Sequence, residues 1–490
     1  MSIIKFNPNV AVKHPLGVKP RGNLFAADDV QAELAFRSQS LGLLAQLDES
    51  NVIDIFQFLN HSDLIQTDSV SKYFLAFSRF NELWRTLFWN DRGGDIFFDT
   101  DWRTSHLYRL VPRREKKART IPCDIPQAPI CSRVFSDLLY APYRMSGLCP
   151  SRDWLSRENI DRVAYTDLTR EKFVSLFEEP NRPVVITGFV DGVWKSLVDD
   201  VIASIGDHLV SCGAVSMTMH DFYRYIETGI NKTDENQYFV FDTKTFSSLP
   251  KLPTIPFFGT DMFDLLSPPW RPDNAWLLVG AAGAASKWHV DPNSTSAWNA
   301  VVRGEKKWIL LPPHLGPPPG VEASSDGFAV RQPLTLMEWL TSGYYEEMYE
   351  KYHDKGLVEC TCREGEIVFV PRGWWHCVIN TGETTTVAVT QNYAAESGVD
   401  KVRNFLKKYK HCVSGIPHEL RSRLWIEFDC VLRQHRPELV QGEVVDSEEA
   451  TTEDACKGFA DSCESGDEEC GDFSFWGNLG SRTLEFSRDH

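Results

Sequence analysis

Two histidines and one aspartate are spaced for metal chemistry. His289 and Asp291 stand two apart in Trp288-His289-Val290-Asp291, so on a strand both side chains leave by the same face. Trp374-Trp375-His376 offers a third donor from far along the chain. Two imidazoles and one carboxylate around one ion leave open coordination positions, the donor set of non-haem Fe(II) oxygenases. With both imidazoles neutral and Asp291 ionised, the bound iron keeps about one positive charge. A second anionic ligand is then favourable, and 2-oxoglutarate supplies one through its 1-carboxylate. The distal carboxylate needs a cation deeper in the site. Lys306 and Lys307 are the candidates, and alternation lets only one of them point inward. Cys360-Thr361-Cys362, with His353 or Cys377, is a competing metal motif. Structural zinc sites pair their ligands a few residues apart, whereas Cys-x-Cys on a strand reads as two buried small hydrophobes.

These residues need strands to hold them. Between Trp276 and Asn392 lie short β-rich runs separated by turn residues: Ala300-Val301-Val302, Trp308-Ile309-Leu310-Leu311, Glu366-Ile367-Val368-Phe369-Val370 and Thr386-Val387-Ala388-Val389-Thr390. Strands this short and closely spaced predict a barrel or jelly roll whose mouth holds a small ligand. Pro183-Val184-Val185-Ile186-Thr187-Gly188 and Tyr238-Phe239-Val240-Phe241-Asp242 add strands upstream. Phe173, Leu176 and Phe177 mark a helix after Thr169. Helical spacing returns from Val402 to Leu432.

The first third is different in texture. Residues 1–40 are rich in Pro, Gly and Lys and read as an extended arm. From Leu41 to Trp89 the pattern is helical, with Val52, Ile53, Phe56 and Leu59 on one apolar face. Asn60-His61-Ser62-Asp63 interrupts it and caps a new helix near Leu64. A unit this small and this apolar leaves one face in need of a partner. Residues 91–160 form a connector that carries the basic run Arg113-Arg114-Glu115-Lys116-Lys117-Ala118-Arg119. That run fits a nuclear-import signal or a solvated surface.

Composition narrows the classes further. A chain of 490 residues divides into two or three structured units. Hydrophobic residues make up 42% of the chain and aromatic ones 12%, which marks a folded protein. The formal charge of −17 disfavours direct nucleic-acid binding, which needs cations against phosphates. Much of that charge sits between Glu443 and Asp472, with twelve Asp and Glu against one Lys. This tail, low in aliphatic residues, is expected to be disordered. The twelve Cys are scattered rather than framed for disulfides. The N-terminus lacks a signal pattern, and no apolar run approaches the ~20 residues of a membrane helix. An intracellular, reduced protein of the nucleus or cytoplasm, with no membrane partner, is expected.

Several separated blocks then match one family in order: Ser286-Lys287-Trp288-His289-Val290-Asp291-Pro292, Thr295-Ser296-Ala297-Trp298-Asn299-Ala300, Gly304-Glu305-Lys306-Lys307-Trp308, Pro371-Arg372-Gly373-Trp374-Trp375-His376 and Thr390-Gln391-Asn392-Tyr393. From about Asp167 to Ala395 the chain resembles the Jumonji-C dioxygenases, most of all the branch of arginine demethylases and lysyl hydroxylases once called the phosphatidylserine receptor. The resemblance implies iron ligands at His289, Asp291 and His376. It implies 2-oxoglutarate contacts at Asn299, Lys306 and Thr390, with Ser286 where the family places a hydroxyl, and it makes Lys306 the inward lysine. Phe239 stands where that relative has a co-substrate-contacting Tyr, which implies either a loss of about 1 kcal/mol for one hydroxyl or a neighbouring Tyr in its place. Fe(II), 2-oxoglutarate and O2 are the implied cofactor and co-substrates. A protein Lys or Arg side chain, with a histone as one candidate, is the implied substrate.

Leu47-Asp48-Glu49, Ile55-Phe56-Gln57-Phe58-Leu59, Asp63-Leu64, Val70-Ser71-Lys72 and Leu83-Trp84 resemble an F-box, with Asp48 where that family usually has Pro. This resemblance implies binding to the adaptor subunit of a cullin-based, SCF-type ubiquitin ligase. The expected fold is α+β: a double-stranded β-helix of the jelly-roll or cupin-like type with flanking helices, preceded by a small all-α unit. The expected segments are an arm at 1–40, an F-box at 41–90, a connector at 91–160, the Jumonji-C domain at 161–412, a helical segment at 413–440 and the acidic tail at 441–490. The competing expectation is a substrate receptor whose Jumonji-C barrel has no turnover.

Overall fold

Strand alternation brings two sheets face to face. In the computed structural model the described residues are 14–91, 96–110, 130–148, 150–247, 254–323, 330–332 and 334–440. The basic run Arg113–Arg119, the acidic tail and the first part of the N-terminal arm lie outside them. The described residues form two compact units.

The second unit takes its described residues from Leu155–Ile205, Val210–Ser216 and Tyr238–His490. Its strands are numbered in chain order. One sheet has seven strands in the spatial order β1 (Asp161–Ala164), β2 (Val184–Thr187), β9 (Ile367–Val370), β6 (Ser296–Arg303), β11 (Thr386–Tyr393), β4 (Ala275–Gly280), β3 (Val240–Asp242). The other has four, in the order β8 (Val358–Arg363), β7 (Glu305–Leu311), β10 (Trp375–Asn380), β5 (Ala285–His289). β1 and β2 are parallel, and β6 pairs antiparallel with both β9 and β11. Val185, Val301 and Val368 from the larger sheet meet Trp308, Leu310, Cys360 and Cys362 from the smaller one in a single apolar cluster. Each such fully buried side chain contributes roughly 1.5–3 kcal/mol. The expected α+β class and cupin-like barrel are therefore observed. Cys360 and Cys362 serve as core filling, as the spacing suggested.

Two local expectations change in detail. The helix after Thr169 runs only Arg170–Phe173 and passes into a π turn, Val174–Glu178. The wider turn keeps Phe173 and Phe177 buried and leaves Leu176 49% exposed. The C-terminal helical stretch is a pair, Val399–Lys408 and Leu424–His435, separated by 3-10 turns and packed on Phe405, Leu406, Leu424 and Phe428.

The first unit takes its described residues from Met1–Trp154, Gly206–Leu209 and Met217–Gln237. Short helices carry it, among them Glu49–Gln57, His61–Thr67, Lys72–Ser78 and Asn81–Asn90. Val52, Ile53 and Phe56 are buried, matching the apolar face read from their spacing. Asn60 caps the next helix by accepting from Ser62 N at 2.8 Å and Asp63 N at 3.1 Å. That helix starts at His61, three residues earlier than Leu64, because the cap side chain sets the first turn. Asp234 lies in the core, accepting from the Trp102 indole and the Tyr225 hydroxyl, both at 2.6 Å. Among the described residues no helix is long and apolar enough to cross a membrane.

Candidate metal centre

The two imidazoles face each other because of register. His376 on β10 lies directly opposite His289 at the end of β5, and the ring centres are 4.1 Å apart. The pairing slips between His376 and Val378, a bulge of the kind that re-aims side chains beside active sites. Asp291 is not inside the strand as the spacing suggested. It follows the strand end with extended backbone, φ −59 and ψ 140, so the two-residue parity survives. The chain then turns through Asn293 and Ser294, both at φ 56. This left-handed turn is costly for residues other than Gly. Asn293 holds it in place by donating to Ser414 O at 3.0 Å and accepting from Ser414 N at 3.2 Å.

One ligand atom from each of His289, Asp291 and His376 lies within 4.8 Å of the other two. The Nδ1 atoms are committed to backbone carbonyls: His289 to Lys287 O at 2.6 Å, His376 to Trp374 O at 3.0 Å. A carbonyl only accepts, so each Nδ1 carries the proton and each Nε2 presents a lone pair. Burial lowers His289 to about 3, helped by the neighbouring His376, and lowers His376 to about 4. Both rings are neutral at physiological pH. Burial pushes Asp291 up to about 6, while a hydrogen bond from Asn392 opposes that rise. Asp291 Oδ2 is buried and has no hydrogen-bond partner. An orphaned carboxylate oxygen beside two imidazole lone pairs fits a divalent cation, which relieves the desolvation cost.

This predicts a pH signature. A carboxyl whose folded pKa is raised destabilises the metal-free fold as pH climbs from its ordinary 3.8 to about 6. Mn(II) affinity should therefore be flat above about 6, where no proton must leave Asp291, and fall as pH drops below it. Calorimetric titration on both sides of that value measures it. Affinity unchanged well below it would rule out Asp291 as a ligand.

The candidate co-substrate residues are distributed along the barrel interior. Ser286 and Lys306 line one small cavity together with Phe239, Asn380 and Thr386. Among the described residues that line it there is no tyrosine. Lys306 is buried, opposite Cys362 on β8, and its ammonium has no hydrogen-bond or ion-pair partner among the described residues. Burial lowers it to about 8. Lys307 points the other way and donates to Arg157 O at 2.5 Å. Asn299 and Thr390 are opposite each other on β6 and β11. The Thr390 hydroxyl donates to Trp298 O at 2.8 Å, and Asn299 Oδ1 is buried without a partner.

Asn392, in the block Thr390-Gln391-Asn392-Tyr393, is a further polar residue at the centre with no role assigned to it from the sequence. It sits two residues beyond Thr390 on β11 and therefore on the same face. It steadies the centre by bonding to Asp291 and donating to Thr295 Oγ1 at 3.1 Å. Period two along that strand was the available signal.

Comparison with known proteins is consistent with this geometry. The cupin-like domain family matches residues 207–398. The arginine-specific demethylase JMJ22 of Arabidopsis thaliana is 34% identical over 487 residues, covering 96% of this chain and 88% of that protein. The bifunctional arginine demethylase and lysyl-hydroxylase psr-1 of Caenorhabditis elegans is 32% identical, covering 58% of this chain and 71% of that protein. The 2-oxoglutarate and iron-dependent oxygenase JMJD4 of Danio rerio is 26% identical over 28% of this chain.

Proposed function

We propose, from the premise that this chain belongs to the Jumonji-C family of oxygenases, that it oxidises a Lys or Arg side chain of a protein substrate. The observation that carries this is the buried centre: two imidazoles with outward lone pairs beside an orphaned carboxylate oxygen. In this assignment His289, Asp291 and His376 hold Fe(II). The iron, with O2 and 2-oxoglutarate, supplies the oxidation, in which the co-substrate is decarboxylated to succinate and CO2.

The chain's own residues bind and orient. Lys306 lines the small cavity, the only lysine among the described residues that do, and is suited to the distal carboxylate of 2-oxoglutarate. The Ser286 hydroxyl lies in the same cavity. Asn299 and Thr390, paired across two strands, would flank the co-substrate on the larger sheet. Trp308, 5.9 Å from the His376 ring, places apolar surface beside the ligands that excludes water. If the oxidised carbon is an N-methyl group, the hydroxylated product collapses to formaldehyde and the outcome is demethylation. If it is a side-chain carbon, the alcohol is stable. Mass spectrometry of a peptide library turned over by the native chain but not by His289→Ala separates the two. A gain of one oxygen marks hydroxylation, and the loss of one methylene marks demethylation. With no mass change and no succinate, the barrel would be a recognition surface and the oxygenase assignment would fail.

The helical unit supports a second role as an adaptor-binding F-box. Leu43 and Phe58 are 84% and 76% exposed, and Leu47, Ile55, Ile65 and Val70 are exposed as well. So many exposed large hydrophobes in one short stretch call for a protein partner. The full chain should therefore co-purify with the SCF adaptor. Changing Leu47, Ile55 or Leu59 to a polar residue should reduce capture at least about tenfold, the loss of one interface anchor. A native chain that captures no adaptor would refute this role.

A further inference from the structure

The C-terminal helical pair carries a cationic face in an acidic chain. Between Val399 and Val440 there are nine Lys and Arg against five Asp and Glu. Most of those acids are already engaged: Asp429 with Arg403 and Arg433, Glu438 with Arg436, Asp400 with Arg403. Lys407, Lys408 and Lys410 are exposed and make no ion pair among the described residues. Their ammonium groups stand over aromatic rings instead. Lys407 and Lys410 lie 5.2 and 5.3 Å from the Trp425 ring centre, and Lys408 lies 5.1 Å from that of Tyr409. The Arg423 guanidinium is 5.9 Å from the Trp270 ring centre, and its carboxylate neighbour, Glu427, is 3.9 Å away. Cations seated on ring faces are held in place, so the face presents an ordered array of positive charge. Cations interleaved with aromatics would otherwise suit single-stranded nucleic acid.

The chain itself carries the complementary charge. Val440 packs on the same apolar cluster as Trp425. Glu443 follows three residues later and opens the stretch to Asp472 with its twelve Asp and Glu and one Lys. A connection this short gives an effective concentration on the order of millimolar, far above what a competing free polyanion reaches.

We infer that the acidic segment Glu443–Asp472 docks in cis on the face formed by Lys407, Lys408, Lys410 and Arg423 and neutralises it. The docking is ionic and exposed, so salt weakens it by screening. It is independent of the oxygenase chemistry.

A carbodiimide that joins contacting carboxylates and amines, applied to the full-length chain, tests this. Peptides from 443–472 should link to Lys407, Lys408 or Lys410 rather than to the exposed Lys172 and Lys355. The yield should drop at least about fivefold in 1 M salt, where the Debye length is about 3 Å. A second full-length variant changes the twelve acids to Asn and Gln. It should bind a labelled single-stranded oligonucleotide at least about tenfold tighter than the native chain at low salt. Adding Lys407→Glu, Lys408→Glu and Lys410→Glu should remove that gain, with a thermal melt checking that the variant folds. Crosslinks spread evenly over the lysines would overturn the inference. So would a native chain that binds the oligonucleotide as tightly as the neutralised variant, because the face would then be an open nucleic-acid site.

Discussion

His289→Ala should abolish metal binding and succinate release while leaving the barrel folded. Residues that merely orient a ligand typically cost 10–100-fold in metal affinity when changed, so loss of a ligand itself should exceed about a hundredfold. The geometry explains why no neighbour rescues it. His376 and Asp291 are the other members of the cluster, and among the described residues no further His, Cys, Asp or Glu joins them. The variant also leaves Asp291 Oδ2 without a partner and without a cation to face, so its carboxyl should titrate higher still. Mn(II) calorimetry and succinate release are the measurements, with a thermal melt as the folding control. A variant that keeps native turnover would remove His289 from the centre.

Lys306→Met should separate co-substrate binding from metal binding. Methionine keeps the length and apolar stem but removes the charge. Truncating one partner of a buried charge pair costs roughly 2–5 kcal/mol, so 2-oxoglutarate affinity should fall about thirtyfold or more while Mn(II) affinity stays near native. Stability should move in the opposite direction. Burial lowers Lys306 from 10.5 to about 8, so the folded chain favours the neutral amine. The fold without co-substrate therefore loses stability as pH falls from 10.5 through about 8. The penalty at neutral pH is on the order of 3 kcal/mol, and methionine removes it. Weaker co-substrate binding with a higher melting temperature is a pairing that a damaged core would not give. Lys307→Met should do the reverse. Its ammonium donates to backbone carbonyls of Arg157 and Leu155, so its loss should lower stability and leave 2-oxoglutarate affinity unchanged. If Lys307→Met instead weakens 2-oxoglutarate and Lys306→Met does not, the inward lysine has been misassigned.

These two lysines also mark where sequence and tertiary structure divide the work. Residue types and short spacings were enough for the donor set. His289 and Asp291 two apart, with His376 far downstream, already pointed to a candidate metal site, and the short β-rich runs already implied a barrel. Those features are local, because side-chain parity along an extended backbone repeats every two residues whatever the strand later pairs with. The helix start at His61 and the exposed Leu176 were less legible. A cap side chain and a π turn shifted them by contacts that span a single turn.

What the sequence could not contain was register and burial. Alternation said that one lysine of Lys306 and Lys307 faces inward. Choosing between them from the residues alone required the pairing of β7 with β8, which puts Lys306 opposite Cys362. The 4.1 Å approach of His289 to His376 came from a β5–β10 register set by residues some ninety positions apart in the chain. The bracing of Asp291 by Asn392 likewise needed β11 folded over the turn. The protonation states of the candidate centre, two neutral imidazoles beside a carboxyl raised to about 6, arise from desolvation by many chain segments at once. Sequence alone determined which atoms could bind a metal. The closed barrel decided that they meet, in which protonation state, and which cation stands behind them, because desolvation and strand register are properties of the whole packed interior rather than of any stretch of chain.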